Sequence, residues 1–281
     1  MHTSAHPTGN LVVLGEHIYW SYIDPIDDPD HLACIMTWTE GAPPRIMLRS
    51  EFPASDYLLA PHNDELYIIE RRFVHTDETF YCRILKMKAG ESPTVLWDWF
   101  ADEWRIGEGG FFMASDRQIV FARYPGVYTL EKGGTPVPYP FIVPQPIRKL
   151  WRLAREQTLL LSANACWLVD AEGTVLEHWS GLVDPTVSDA TLNRNDTFDV
   201  DYRDGVLLLA YWGKRTFEVI FPDGRRRTLA EMKAPDVPHW VAYRRESMLL
   251  FSSRLVFDGS PPRPRLVLRT PDDERIEVWR E

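Results

Sequence analysis

Short polar turns and apolar, β-rich runs alternate along this chain, and the alternation recurs six times. GNLVVLG-EHIYWSYID, YLLAPHN-DELYIIERRF, FFMAS-DRQIVFARY, KLWRLAR-EQTLLLSAN, FDVDYR-DGVLLLAYW and WVAYRR-ESMLLFSS align beneath one another. Each has a short apolar strand, a polar turn and a longer apolar strand. The longer runs begin near His17, Glu65, Gln118, Thr158, Val206 and Met248, at intervals of 48, 53, 40, 48 and 42 residues. Every interval leaves room for two more strands and their turns. The pattern therefore predicts units of about four antiparallel strands over residues 11–52, 57–100, 109–143, 149–182, 197–232 and 239–281.

A sheet of four short strands cannot bury both of its faces alone. Radial packing covers each face with a neighbour and leaves only the outer strands as edges. With a period of roughly 40–50 residues, the chain resembles six-bladed β-propellers. The expected fold class is all-β, a propeller of six blades of four antiparallel strands. It forms one domain over 1–281, because no composition break or linker separates the units. The terminal blades then meet by face packing alone, the chain starting on an innermost strand and ending on an outermost one.

Prolines support this layout. In the predicted fourth strand of the third blade, Thr135–Ile142, Pro136, Pro138 and Pro140 alternate with Val137, Tyr139 and Phe141. The missing N–H groups then lie along one edge, so the strand pairs on one side only, as an outermost strand must. A polyproline-II recognition segment is the competing reading. Asp204-Gly205 and Asp223-Gly224 supply the positive φ of tight hairpin turns. Trp97 and Trp99 are expected to share one face of their strand and pack between blades.

Composition narrows the classes. No apolar run reaches the ~18–20 residues that span a bilayer, and residues 1–10 lack the basic and apolar regions of a secretory signal. Three cysteines, Cys34, Cys82 and Cys166, are too few and too odd for a disulfide framework. They read as buried thiols in a reducing compartment, which places the chain in the cytoplasm, with no membrane association. A formal charge of -10 argues against a nucleic-acid partner. The basic clusters Arg71-Arg72, Arg225-Arg226-Arg227 and Arg244-Arg245 fall on strands whose alternate residues face opposite sides, and read as solvated blade surface.

Ligand sites of propellers usually lie on the face that collects the inter-blade loops and the middle hairpin of each blade. Asp27, Asp28, His31, His75, Asp102, Trp104, Tyr124, Trp212 and Arg215 are the candidate rim residues there. Such a rim is acidic with interspersed aromatics. Trp104, Trp212 and Tyr124 would anchor a protein partner while the carboxylates steer a basic one. Ordinary solvated loops are the plain alternative.

Catalytic and metal signatures are weak. Asp184–Asp196 is rich in oxygens but lacks the calcium-loop grammar, and Asp199, Asp201 and Asp204 are divided between a strand and a turn. No His-x-x-x-His, Cys-x-x-Cys or Gly-x-Ser-x-Gly occurs, and Gly107-Glu108-Gly109-Gly110 precedes a strand instead of a phosphate-binding helix. No catalytic residue, metal or cofactor is assigned.

The resemblance to six-bladed propellers covers nearly the whole chain without a specific family motif. A Trp-Asp ending occurs only at Trp97-Asp98, paired glycines at Gly109-Gly110 and Gly133-Gly134 do not recur by blade, and the sialidase box is missing. Lactonase-type hydrolases share the architecture with a Glu/Asn/Asp-held metal, and no matching set is placed here. The expected function is that of a non-catalytic propeller binding another protein in a larger assembly or regulatory system. A metal-dependent lactonase or esterase acting at the channel mouth is the alternative, and carbohydrate recognition by rim Trp and Asp residues a third.

Overall fold

The computed structural model describes residues 9–23, 32–139, 143, 146–153, 156–182, 198–254 and 264–280. These form six four-stranded antiparallel sheets, and within each sheet the strands are ordered as in the sequence. The chain divides into two compact units, Ser50–Asp184 and Met1–Arg49 with Pro185–Glu281.

Ser50–Asp184 contains three sheets. The first has β5 (Ser55–His62), β6 (Glu65–Val74), β7 (Thr79–Lys88) and β8 (Thr94–Ala101). The second has β9 (Phe111–Ser115), β10 (Gln118–Arg123), β11 (Gly126–Glu131) and β12 (Val137–Pro138). The third has β13 (Lys149–Arg152), β14 (Thr158–Leu161), β15 (Ala165–Val169) and β16 (Val175–Ser180). The period of two along β10 shows how they pack. Ile119 and Phe121 join a core with Leu58, Ile69, Ile84 and Trp97 of the preceding sheet. Val120 and Ala122 point the other way, onto Leu150, Leu160 and Trp167 of the next. A strand buried on both faces reads as a continuous apolar run, which is why the repeat was visible.

The second unit is built alike. It contains β1 (Leu11–Leu14), β2 (His17–Ile23), β3 (Ala33–Trp38) and β4 (Arg45–Arg49). A second sheet has β17 (Phe198–Arg203), β18 (Val206–Tyr211), β19 (Thr216–Ile220) and β20 (Arg226–Glu231). The third has β21 (Asp236–Arg244), β22 (Ser247–Arg254), β23 (Arg265–Arg269) and β24 (Arg275–Arg280). On β22, Met248 and Leu250 pack with Leu208 and Phe217, whereas Leu249 and Phe251 pack with Ile18, Trp20 and Met36. First and last sheets therefore meet face to face, as expected.

One sequence expectation holds in part and another changes. Among the described residues the proline strand pairs over Val137–Pro138, and the Tyr139 N–H donates to the Val127 carbonyl at 2.9 Å. The Tyr139 N–H thus faces inward, as predicted; Pro140, Phe141 and Ile142 lie outside the described residues. Trp97 and Trp99 do not share a face. The β7–β8 register shifts between Cys82 and Ile84; Trp97 enters the core with Phe100, while Trp99 meets Phe52 edge-on. An extra residue at the bulge breaks the period of two.

The crossing into the second sheet of Ser50–Asp184 depends on glycine. Gly110 has φ +86°, and a Cβ there would lie 2.1 Å from the Leu150 carbonyl oxygen. The Gly110 carbonyl accepts from the Ala122 N–H at 3.2 Å, and that of Gly109 from Leu150 at 2.7 Å. Gly110→Ala is expected to destabilise the fold by about 3 kcal/mol or more, lowering Tm by roughly 6 °C or more. Gly133, φ +78° with open space around it, tests the conformational part alone, and Gly133→Ala should cost about 1 kcal/mol. Thermal melts of the two variants check this; equal shifts would contradict it.

Candidate functional site

In a sheet ordered 1-2-3-4, the hairpin joining the middle strands and the crossing to the next sheet emerge at one end. In Ser50–Asp184 this end carries residues 75–78, 102–110, 124–125 and 162–164.

Two carboxylates there, Asp102 and Asp77, bond within their own loops. Asp102 is 3% exposed, and both carboxylate oxygens accept the Ile106 N–H at 3.0 Å, closing the loop that carries Trp104. Burial raises its pKa, against the Ile106 hydrogen bond and the nearby Arg71 charge. Asp77 accepts from Tyr81 Oη at 2.8 Å and from the Thr79 N–H at 3.3 Å within its own hairpin. His75 is exposed and edge-on to Phe73, ring centroids 4.9 Å apart.

Three arginines lie over aromatic rings instead. The Arg105 guanidinium lies 5.2 Å from the Phe80 centroid, Arg123 5.6 Å from Trp104 and Arg148 5.6 Å from Tyr124. Trp104 also meets Tyr128 edge-on at 5.2 Å and is half-buried against the core, so it is part anchor and part core. Tyr124 is 56% exposed. Guanidiniums over rings therefore stand on this loop end beside the exposed carboxylates of Glu78 and Glu103.

The reading of Arg71-Arg72 as solvated surface is also corrected. Arg71 is buried, bonded to Asp56 at 2.6 Å and Glu108 at 2.7 Å. Burial opposes its charge, but the two carboxylates outweigh it and hold it protonated. Arg72 stacks over Trp99 at 4.3 Å and Phe52 at 4.4 Å. Beside it, Glu70 is fully buried and accepts from Ser50 Oγ at 2.8 Å, Tyr57 Oη at 3.3 Å and Arg83 Nε at 2.6 Å. A Glu ending the buried run Leu66-Tyr67-Ile68-Ile69 was the sequence signal for this network. Arg244 behaves like Arg71: it is buried over Trp38 and reaches Glu40 at 3.0 Å, whereas Arg225, Arg226 and Arg227 are exposed as expected.

In the other unit, Trp212 and Arg215 close the β18–β19 hairpin, where the Arg215 N–H donates to the Trp212 carbonyl at 3.0 Å. Both side chains are half-buried. Asp27, Asp28 and His31, like Asp184–Asp196, lie outside the described residues.

Two arrangements in this unit escaped the sequence reading. His239 is the extra residue of a bulge in β21, and its Nε2 lies 2.6 Å from Ser253 Oγ. Nothing in the sequence places these two residues side by side. The second is a carboxylate pair on β17. Asp199 accepts the Val241 N–H at 3.0 Å, and Asp201 the Tyr243 N–H at 2.6 Å. Their spacing matches alternate N–H groups along the edge of β21 that faces away from β22. Asp199 and Asp201 were weighed as calcium ligands; here they satisfy backbone. Among the described residues, no group of three or more His, Cys, Asp or Glu side chains converges as a metal site. The three cysteines are free and buried, and burial raises the Cys82 and Cys166 thiols.

No family model and no curated protein matches the chain. Among solved structures it is similar to virginiamycin B lyase from Staphylococcus aureus, with TM-score 0.52 and 10% identity over 87% of this chain and 92% of that one. A catalytically inactive variant of that lyase with quinupristin gives 0.50 and 9% over 90% and 94%. The nidogen/laminin complex gives 0.50 and 11% over 95% and 90%. At such identities the likeness is one of fold: an all-β, six-bladed β-propeller, with no specific family attached. Among the described residues no helix is long and apolar enough to cross a membrane.

The Asp201 carboxyl predicts a pH dependence. Burial raises its pKa to about 7, with Asp199 adding to the shift and the Tyr243 and Tyr202 N–H groups opposing it. An unfolded Asp titrates near 3.9. Between about pH 4 and 7 the folded state therefore holds a proton that the unfolded state has lost, so stability falls as pH rises across that window. Asp201→Asn is expected to flatten this slope in denaturant melts from pH 4 to 8. A variant with the wild-type slope would contradict the assignment.

Proposed function

We propose that this chain is a protein-binding β-propeller, a component of a larger assembly or regulatory system, acting through the loop end of Ser50–Asp184. One observation carries the reading: Tyr124 is 56% exposed on this loop end, with the Arg148 guanidinium 5.6 Å from its ring. A large ring held open to solvent next to arginine has the make-up of a binding hot spot. A similar propeller fold in the nidogen/laminin complex supports it as an analogy of fold.

The Ser253–His239 contact keeps a hydrolytic second reading alive. A hydroxyl 2.6 Å from an imidazole nitrogen is the pairing of an activated nucleophile. Ser253 is only 3% exposed, however, which bars a substrate carbonyl from its oxygen in this conformation. The same bond serves to fasten the β21 bulge to β22. Treatment with a fluorophosphonate probe should leave Ser253 unlabelled, and stoichiometric labelling at Ser253 would shift the function to hydrolysis.

The binding reading is tested with a photo-crosslinking amino acid at position 124 and, as control, at position 95. Val95 is also 56% exposed but lies on an outermost strand. In extract of the native cells, the probe at 124 should give a discrete protein adduct and the probe at 95 none. Indistinguishable patterns would count against this surface.

A further inference from the structure

The first and last sheets are neighbours in space but stand at opposite ends of the described chain, so no crossing segment ties one to the other. Other neighbours are tied. The second and third sheets of Ser50–Asp184 are joined by the chain and by the Leu150 N–H to the Gly109 carbonyl at 2.7 Å. The sheets of β17 and β21 are joined by residues 232–235 and by Asp199 and Asp201. Among the described residues, neither the first sheet nor the last borrows a strand from the other. Their described contact is between side chains. Trp20, Cys34 and Met36 pack with Leu249, Phe251 and Leu266, and Trp279 of β24 lies 5.5 Å from Trp20 and 5.3 Å from Tyr22.

One end of this seam is ionic. Arg244, the last residue of β21, lies 5.4 Å from the Trp38 ring centroid and donates to Glu40 at 3.0 Å and Glu16 at 3.4 Å. Arg245 donates to Glu16 at 2.5 Å. Glu16 stands in the β1–β2 turn and Glu40 follows β3, so each pair crosses from the last sheet to the first. We infer that Arg244 is a clasp on this seam, and that releasing it parts the first and last sheets while the other sheets stay folded.

The two sides of the clasp differ in burial. The Arg244 side chain is 5% exposed, whereas those of Glu16 and Glu40 are 58% and 67% exposed. A buried guanidinium without a counter-charge costs far more than two hydrated carboxylates. Removing the carboxylates therefore strands Arg244 in the closed seam, and parting the sheets returns it to water. Removing the arginine strands nothing, because Glu16 and Glu40 already face solvent. The carboxylates are thus the sensitive side of the clasp.

The native cysteines report the opening. Cys34 is 0% exposed within the seam core, four residues along β3 from Trp38. Its thiol is reached when the seam parts along its length, not when the clasp end alone frays. Cys82 is equally buried between the first two sheets of Ser50–Asp184, and Cys166 lies buried in the third. The intact protein is treated with excess N-ethylmaleimide under native conditions, and labelling of each cysteine is followed by peptide mass spectrometry. In Glu16→Ala/Glu40→Ala, Cys34 labelling is expected to quicken about tenfold, with Cys82 and Cys166 at their wild-type rates. Arg244→Met, which keeps a side chain on Trp38, should quicken it less. Glu277→Ala breaks a 2.6 Å pair with Arg265 inside the last sheet and should leave it unchanged. A Cys34 rate unmoved in the double variant would overturn the clasp. So would an equal rise at all three thiols, which reports global unfolding, or an Arg244→Met effect as large as that of the double variant.

Discussion

Each sheet has middle strands that are apolar on both faces, and such a sheet has no stable existence by itself. Ile119 with Phe121 and Val120 with Ala122 need cover on opposite sides, as do Leu249 with Phe251 and Met248 with Leu250. Other features follow from bringing sheets together face to face. Backbone has to pass close to backbone where one sheet leads into the next, so Gly110 occupies a place without room for a Cβ. The inner edge of β21 has no strand to pair with beyond β22, so Asp199 and Asp201 of β17 meet its N–H groups. Burying polar groups between sheets calls for partners, and Glu70 with its three donors is the fullest example.

Strand positions were legible because two-sided burial writes itself as uninterrupted apolar runs bounded by turn residues. Depth was not. Alternation says which side of a sheet Arg71 faces, but not that Asp56 and Glu108 wait there to bury it. The β7–β8 bulge was equally silent, since one additional residue in a strand leaves no compositional mark, yet it sends Trp97 and Trp99 to opposite faces.

The candidate rim was half legible for a related reason. Aspartate in a loop has the same composition whether it greets a ligand or closes its own turn. Asp102 and Asp77 do the second. Tyr124 and Trp104 were identified by ring size, a property that survives in any context. Their arginine companions were missed because Arg105, Arg123 and Arg148 are far apart in sequence and meet only when three sheets stack in order. One loop end of an overall acidic protein thus sets guanidiniums over rings beside exposed carboxylates. Bulk charge governs steering and solubility, whereas the groups within a few ångströms govern the contact.

Hydrogen exchange of the free protein tests this account most directly. The account predicts the slowest exchange along middle strands such as β10 and β22, which are covered on both faces, and faster exchange along the outer strands β4, β8 and β24. Slowest exchange along those outer strands, with β10 and β22 exchanging freely, would contradict it.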